Sequence, residues 1–146
     1  MPREDFTCAH QLRVRWAEVD MQKIVFNGHY LTYIDTAIAE YWRAIGLPYP
    51  EGYVDRFGND VYLRKATVEY LGSARYDDVL TVLTRVARLG NTSMTFAFEI
   101  HRDGAAPLVT AELVYVNADP ATMKAAPLPG ELRELVRRFE KVKPQP

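Results

Sequence analysis

The sequence has a single cysteine, Cys8, so no disulfide can close within the chain. That suits a reducing compartment. No apolar run approaches the roughly 20 residues that a membrane helix needs. The opening Met1-Pro2-Arg3-Glu4-Asp5 has no apolar stretch of a signal peptide. The expectation is a soluble, cytoplasmic protein that does not engage a membrane. Neither sign of charge is in excess: 18 basic residues stand against 19 acidic ones, for a net charge of −1. Such a balance provides no overall field for gripping nucleic acid, and none is expected as a partner. The 3 histidines, His10, His29 and His101, lie too far apart for an HxH or HExxH pair, so no metal site is expected. There is no GxGxxG or GxxxxGK[ST] loop for a nucleotide cofactor. There is no GxSxG either, and a serine or cysteine nucleophile at Ser93 or Cys8 is not expected. Repeats, low-complexity stretches and long linkers are absent, and the 146 residues read as one domain, 1–146.

What is present is a sharp change of period. His10, Leu12, Val14 and Trp16 alternate with Gln11, Arg13 and Arg15, the mark of a half-buried strand. After a loop from about Ala17 to Asn27, Tyr30, Leu31, Ile34, Ala37, Ile38, Tyr41, Trp42 and Ile45 recur at helical spacing. Asn27-Gly28 can start that helix, and Gly46 followed by Pro48 can stop it. Leu47 to Asn59, with two prolines and two glycines, reads as an irregular connection. Strands follow over Val61–Leu71, Val79–Leu89, the segment around Met94–Ile100, and Leu108–Asn117, with a turn at Asp103-Gly104. In the first of these, Tyr62, Ala66, Val68 and Tyr70 are expected on one face. Leu128 to Glu140 reads as a closing helix with Leu132, Leu135, Val136 and Phe139 on its apolar side. This order predicts an α+β layer, with an antiparallel sheet wrapped around one long helix.

The segment between the first strand and the helix carries the chemistry. Asp20 lies in that loop, close enough in sequence for its carboxylate to approach the helix N-terminus, where free N–H groups attract negative charge. A carbonyl under attack needs a base or nucleophile on one side and donors for its oxygen on the other. Asp20 offers the first, and the backbone N–H groups near Asn27 and Gly28 the second. Glycine at position 28 also lets a ligand come close to the backbone. Glu18 reads as secondary or structural. His29, beside the helix start, either hydrogen-bonds a substrate or packs at the helix end.

Arg15-Trp16, Asp20, Val25-Phe26 and Tyr30 together resemble the signature of the 4-hydroxybenzoyl-CoA thioesterase family of hot-dog proteins. Val68 to Leu80 and Leu89 to Phe96 resemble that family's second strand and the turn into its next one. The resemblance implies a hot-dog fold and hydrolysis of acyl-CoA thioesters to free acid and coenzyme A. It implies Asp20 as the catalytic carboxylate and the Asn27 N–H as the donor that polarises the carbonyl. It further implies a homodimer or homotetramer with coenzyme A along the subunit boundary, and no cofactor beyond the coenzyme in the substrate. Arg88 precedes Gly90-Asn91-Thr92, a turn that resembles the family's pantetheine-side loop, so these four are expected to bind substrate. Arg64, Lys65, Arg75 and Lys124 are further candidates for the coenzyme's phosphates. Lys23 stands where the family often has Gly, Gly72 where it often has Pro, and Asn27 where many members carry an aromatic residue or His. Two other functions fit the same segment. One is a hot-dog dehydratase or hydratase using Asp20 and His29 as an acid/base pair, and the other is a non-catalytic acyl-CoA-binding module.

Overall fold

The computed structural model describes residues 1–104 and 106–146. Strand β1 (Cys8–Arg13) leads through a 3-10 turn into helix α1 (His29–Ala44), followed by a short helix α2 (Glu51–Phe57). Strands β2 (Asp60–Tyr70), β3 (Val79–Leu89), β4 (Ser93–His101) and β5 (Val109–Ala118) come next, and helix α3 (Gly130–Phe139) follows. The strands form one sheet in the order β1-β3-β4-β5-β2, every neighbour antiparallel. Helix α1 buries Tyr30, Tyr33, Ile34, Ala37, Ile38, Tyr41 and Trp42 in the core formed with this sheet. Against them stand Leu80, Val82 and Val86 from β3 and Met94, Phe96 and Ile100 from β4, all fully buried. Tyr41 and Trp42 meet the Phe96 ring edge-on, an arrangement that adds to simple burial.

Four local expectations need correction. Trp16 does not continue the first strand: it opens the 3-10 turn Trp16–Glu18 and is exposed. On α1, Leu31 faces outward and Tyr33 takes the buried position instead, because the stripe follows i, i+3, i+4 from Tyr30. The proline- and glycine-rich connection contains α2. Pro50 stands at its N-cap and Gly58, with φ 70°, at its C-cap, so these residues bound a helix rather than exclude one. Tyr53 is the apolar residue that anchors it, edge-on to Trp42 and Phe57. Finally, a bulge between Leu63 and Lys65 shifts the phase of β2. Val61 and Val68 both pack against the core, seven residues apart, which strict alternation forbids. Tyr62 therefore leaves the face it would otherwise share with Val68.

The edges of the sheet differ. β1 pairs with β3 only as far as Thr84. Beyond it the C-terminal segment takes over, with the Leu89 N–H donating to the Gln145 carbonyl at 2.9 Å and the Gln145 N–H to Ala87 at 2.9 Å. On the other side β2 pairs with β5 along its length and has no second neighbour among the described residues.

Candidate active site

The Asp20 loop is built by short-range bonds. The Asp20 N–H donates to Ile24 at 3.0 Å, the Lys23 N–H returns to the Asp20 carbonyl at 2.9 Å, and the Gln22 N–H caps the Asp20 carboxylate at 2.8 Å. Closing so tight a loop puts Lys23 at φ 65°, the left-handed region where glycine is at ease. A lysine there carries a conformational cost that glycine would not.

Glu18 fixes this loop to the fold. Its buried carboxylate accepts from the Arg15 N–H at 2.7 Å, the Arg15 Nε at 2.9 Å and the Tyr33 hydroxyl at 2.8 Å. Burial alone would push its pKa up, but the donors of Arg15 and Tyr33 outweigh this and hold it below the ordinary glutamate value. Its contribution to stability is therefore present above that ordinary value and is lost as pH falls through the lowered one. Glu18→Gln removes the charge facing Arg15 and swaps one acceptor oxygen for a donor. It should cost about 1–3 kcal/mol in a urea melt at pH 7, and that loss should shrink as the melt is repeated at falling pH.

The segment from Val25 to Tyr30 is then placed from both sides. Val25 donates to the Ala74 carbonyl at 2.9 Å and Phe26 to the Glu18 carbonyl at 2.9 Å, while the Tyr30 hydroxyl accepts the Ala74 N–H at 2.9 Å. At the helix start, His29 donates to Phe26 and Tyr30 to Asn27. The N–H groups of Asn27 and Gly28 meet no acceptor among the described residues. A Cβ on Gly28 would lie 3.0 Å from the Phe26 ring, so the glycine also makes room for that ring.

Asp20 and Asn27 open onto one cavity of about 290 Å³, lined also by Gln22, Ile24, Val25, Tyr30, Tyr70, Gly72 and Ser73. Half-buried Asp20 and Asn27, whose backbone N–H is uncommitted, thus share one space, while Gly28 is not among its lining residues. A carbonyl could be held there by the Asn27 donor and attacked from the side of the carboxylate. His29 is not among the lining residues; its ring stands edge-on to Phe26 with centroids 6.0 Å apart. Arg88, Gly90, Asn91 and Thr92 lie at the opposite end of the strands, since Ser93 pairs with Val116 while Tyr70, on the cavity, pairs with Val109. There the Arg88 Nε donates to the Pro146 carbonyl, the Gly90 and Asn91 carbonyls accept Arg133, and the Thr92 carbonyl accepts Asn117. Within one chain these four do not reach Asp20. Among the described residues no three His, Cys, Asp or Glu side chains gather as a metal-holding group. Burial pushes the Cys8 thiol up to about 11, helped by the charges of Glu140 and Glu40, which leaves it a poor nucleophile.

Tyr70 and Ser73 are wall residues that the spacing around Asp20 does not reveal, because the chain brings them from the far end of β2. Tyr70 packs on Tyr30 with ring centroids 5.8 Å apart. The Gly72 N–H donates to the Leu108 carbonyl at 2.9 Å, a bond that proline in its place would lack.

A family model described as the thioesterase superfamily matches residues 22–107 of this chain. The chain belongs to the thioesterase superfamily. Its α+β architecture is the hot-dog fold, the antiparallel sheet wrapping the long α1. This thioesterase is 29% identical over 121 residues to the acyl-CoA thioester hydrolase YbgC of Escherichia coli, across 83% of this chain and 89% of that one. A solved structure from Aquifex aeolicus is 27% identical and superposes with a TM-score of 0.80, covering 88% of the thioesterase and 98% of that chain. A thioesterase-superfamily protein from Jannaschia reaches a TM-score of 0.86 at 23% identity, over 97% and 99% of the two chains. The family match begins two residues after Asp20, so the case for that carboxylate rests on the cavity itself. Among the described residues no helix is long and apolar enough to cross a membrane.

Proposed function

We propose that this thioesterase hydrolyses acyl-CoA thioesters to a free acid and coenzyme A, with residues 1–146 acting as one catalytic domain. The observation that carries the reading is that Asp20 and Asn27 line one cavity at the start of α1, where the Asn27 N–H is uncommitted. The likeness to YbgC, an acyl-CoA thioester hydrolase, supports the same chemistry. In this reading the carbonyl oxygen sits against the helix N–H groups, which stabilise the negative charge of the tetrahedral intermediate. Asp20 either takes the proton from an attacking water, and the thiolate leaves with the free acid formed, or attacks the carbonyl itself, expelling the thiolate and forming an anhydride that water then cleaves to the free acid. Dehydration would need a second acid/base group, and His29, edge-on to Phe26, does not line the Asp20 cavity.

The reading includes a dimer formed through the free edge of β2. Leu63, Tyr70 and Leu71 are exposed along or just beyond that strand, and an unpaired edge of this length invites another strand. Antiparallel pairing about a two-fold axis would set the Asp60 end of one β2 beside the Tyr70 end of the other. That would bring the Arg88–Thr92 turn of one chain toward Asp20 of its partner. Light scattering at micromolar concentration should give at least twice the chain mass of 16.7 kDa; a fully active monomer would end the dimer model. The activity itself is tested with a panel of acyl-CoAs, following free thiol, enoyl product and simple binding in parallel. Thiol release identifies a hydrolase, enoyl absorbance a dehydratase, and binding without either a sensor.

A further inference from the structure

The loop that carries Asp20 has a second face. Val19 and Lys23, with Trp16, Arg75 and Tyr76, line a separate cleft of about 430 Å³. Trp16 is 83% exposed and Tyr76 58% exposed. Scattered exposed aromatics mean little, but two that line one cleft form an apolar seat. The Lys23 ammonium and the Arg75 guanidinium have no hydrogen-bond or ion-pair partner among the described residues. The neighbouring carboxylates are already engaged: Glu18 by Arg15 and Tyr33, Asp77 by Arg13, Asp78 by Arg102 and the Arg75 N–H. Lys23 holds its position in the left-handed region at a conformational cost, and its side chain lines this cleft rather than the Asp20 cavity.

Cleft and cavity share one wall. The bond from Val25 to Ala74 ties its two segments together. Asp20 and Ser73 line the cavity, Lys23 and Arg75 the cleft. A ligand long enough to cross this wall would occupy both. An acyl-CoA is such a ligand, with a thioester at one end and an adenosine carrying phosphates at the other. A purine ring stacks on aromatic side chains, and its phosphates attract uncommitted cations. We infer that the Trp16–Tyr76 cleft seats the adenine nucleotide of coenzyme A, with Lys23 and Arg75 meeting its phosphates. This rests on the thioesterase reading above.

The test compares one acyl group on coenzyme A and on pantetheine, which lacks the nucleotide. Trp16→Ala and Arg75→Ala should each raise KM for the acyl-CoA about tenfold, the loss of one stacking or charged contact, with kcat within about twofold. On acyl-pantetheine both variants should match the wild type. Adenosine 3′,5′-bisphosphate should inhibit the wild type competitively and the variants much less. Equal losses on both substrates would mean that the residues only shape the loop, and the inference would fall. It would fall equally if their KM values stayed put while Arg88→Ala raised KM. If the wild type cleaves neither substrate, the hydrolase reading fails, yet the cleft is still readable. Trp16 is exposed and Trp42 buried, so coenzyme A should quench the exposed indole saturably, with about tenfold weaker binding in Arg75→Ala. Absence of quenching in the wild type would overturn the assignment.

Discussion

Asp20→Asn is expected to lower turnover by about 10²–10⁴, the span typical of losing a positioned general base. The substitution isolates chemistry from structure because the fold asks little of this side chain. Among the described residues its carboxylate accepts one hydrogen bond, from the Gln22 N–H, and an asparagine carbonyl can accept the same bond. The backbone bonds to Ile24 and Lys23 do not involve the side chain at all. The melting temperature should therefore hold within a few degrees, and a non-hydrolysable acyl-CoA analogue should bind nearly as well. Only proton uptake or nucleophilic attack is removed. The comparison with Glu18→Gln is informative in the opposite sense: that variant should lose stability first and activity less. A fully active Asp20→Asn enzyme would refute the role of this carboxylate.

Glu140→Ala should be the most damaging polar substitution away from the cavity, at about 2–5 kcal/mol. Glu140 is fully buried just after α3, and one of its oxygens accepts both the Tyr41 hydroxyl at 2.6 Å and the Val86 N–H at 2.8 Å. Its other oxygen accepts the Thr7 hydroxyl at 3.3 Å. Alanine would strand two buried donors, each costing about 1–3 kcal/mol, in the middle of the core. For a chain of this length each lost kcal/mol lowers the melting temperature by roughly 2–4 °C. Glutamine can still accept from Tyr41 and Val86, so Glu140→Gln should lose less than half as much. The two variants also separate charge from bonding. Burial raises the Glu140 pKa, although Tyr41, Val86, Thr7 and Arg85 pull it down. Its proton is thus held more tightly in the fold than in the unfolded chain. As pH rises from the ordinary glutamate value through the raised one, the wild type should lose stability, and Glu140→Gln should show no such loss. A wild-type curve without this decline, or an alanine variant that melts with the wild type, would contradict the assignment.

The repeating features of the fold were legible in the sequence because they rest on local periodicity. The α1 stripe, the Met94–Ile100 alternation and the stop at Gly46 each need only neighbours within a few residues. What escaped depends on partners distant in the chain. Tyr53 makes α2 worth forming only because Trp42 is there to receive its ring. The phase of β2 changes at a bulge that pairing with β5 defines. Around the candidate site the sequence marked Asp20, Asn27 and Gly28, which the structure gathers at one loop and helix start. It could not show that Tyr70, at the end of β2, and Ser73, just after it, close the cavity. Nor could it show that Arg88 and the turn after it lie at the far end of the same chain. Glu18 and Asp20, two residues apart, look alike in sequence; only burial against Tyr33 separates an anchor from a carboxylate facing open space.

The C-terminal segment has a consequence for handling the protein. By pairing with Ala87 and Leu89 it covers the stretch of β3 that β1 leaves uncovered. β3 is among the most apolar strands here, with Leu80, Val82, Leu83, Val86 and Leu89 all buried. Trimming the last few residues would bare its backbone as a sticky template, and clipped molecules would associate strand to strand and precipitate. The segment carrying Gln145 thus acts as a solubility guard along this edge of β3.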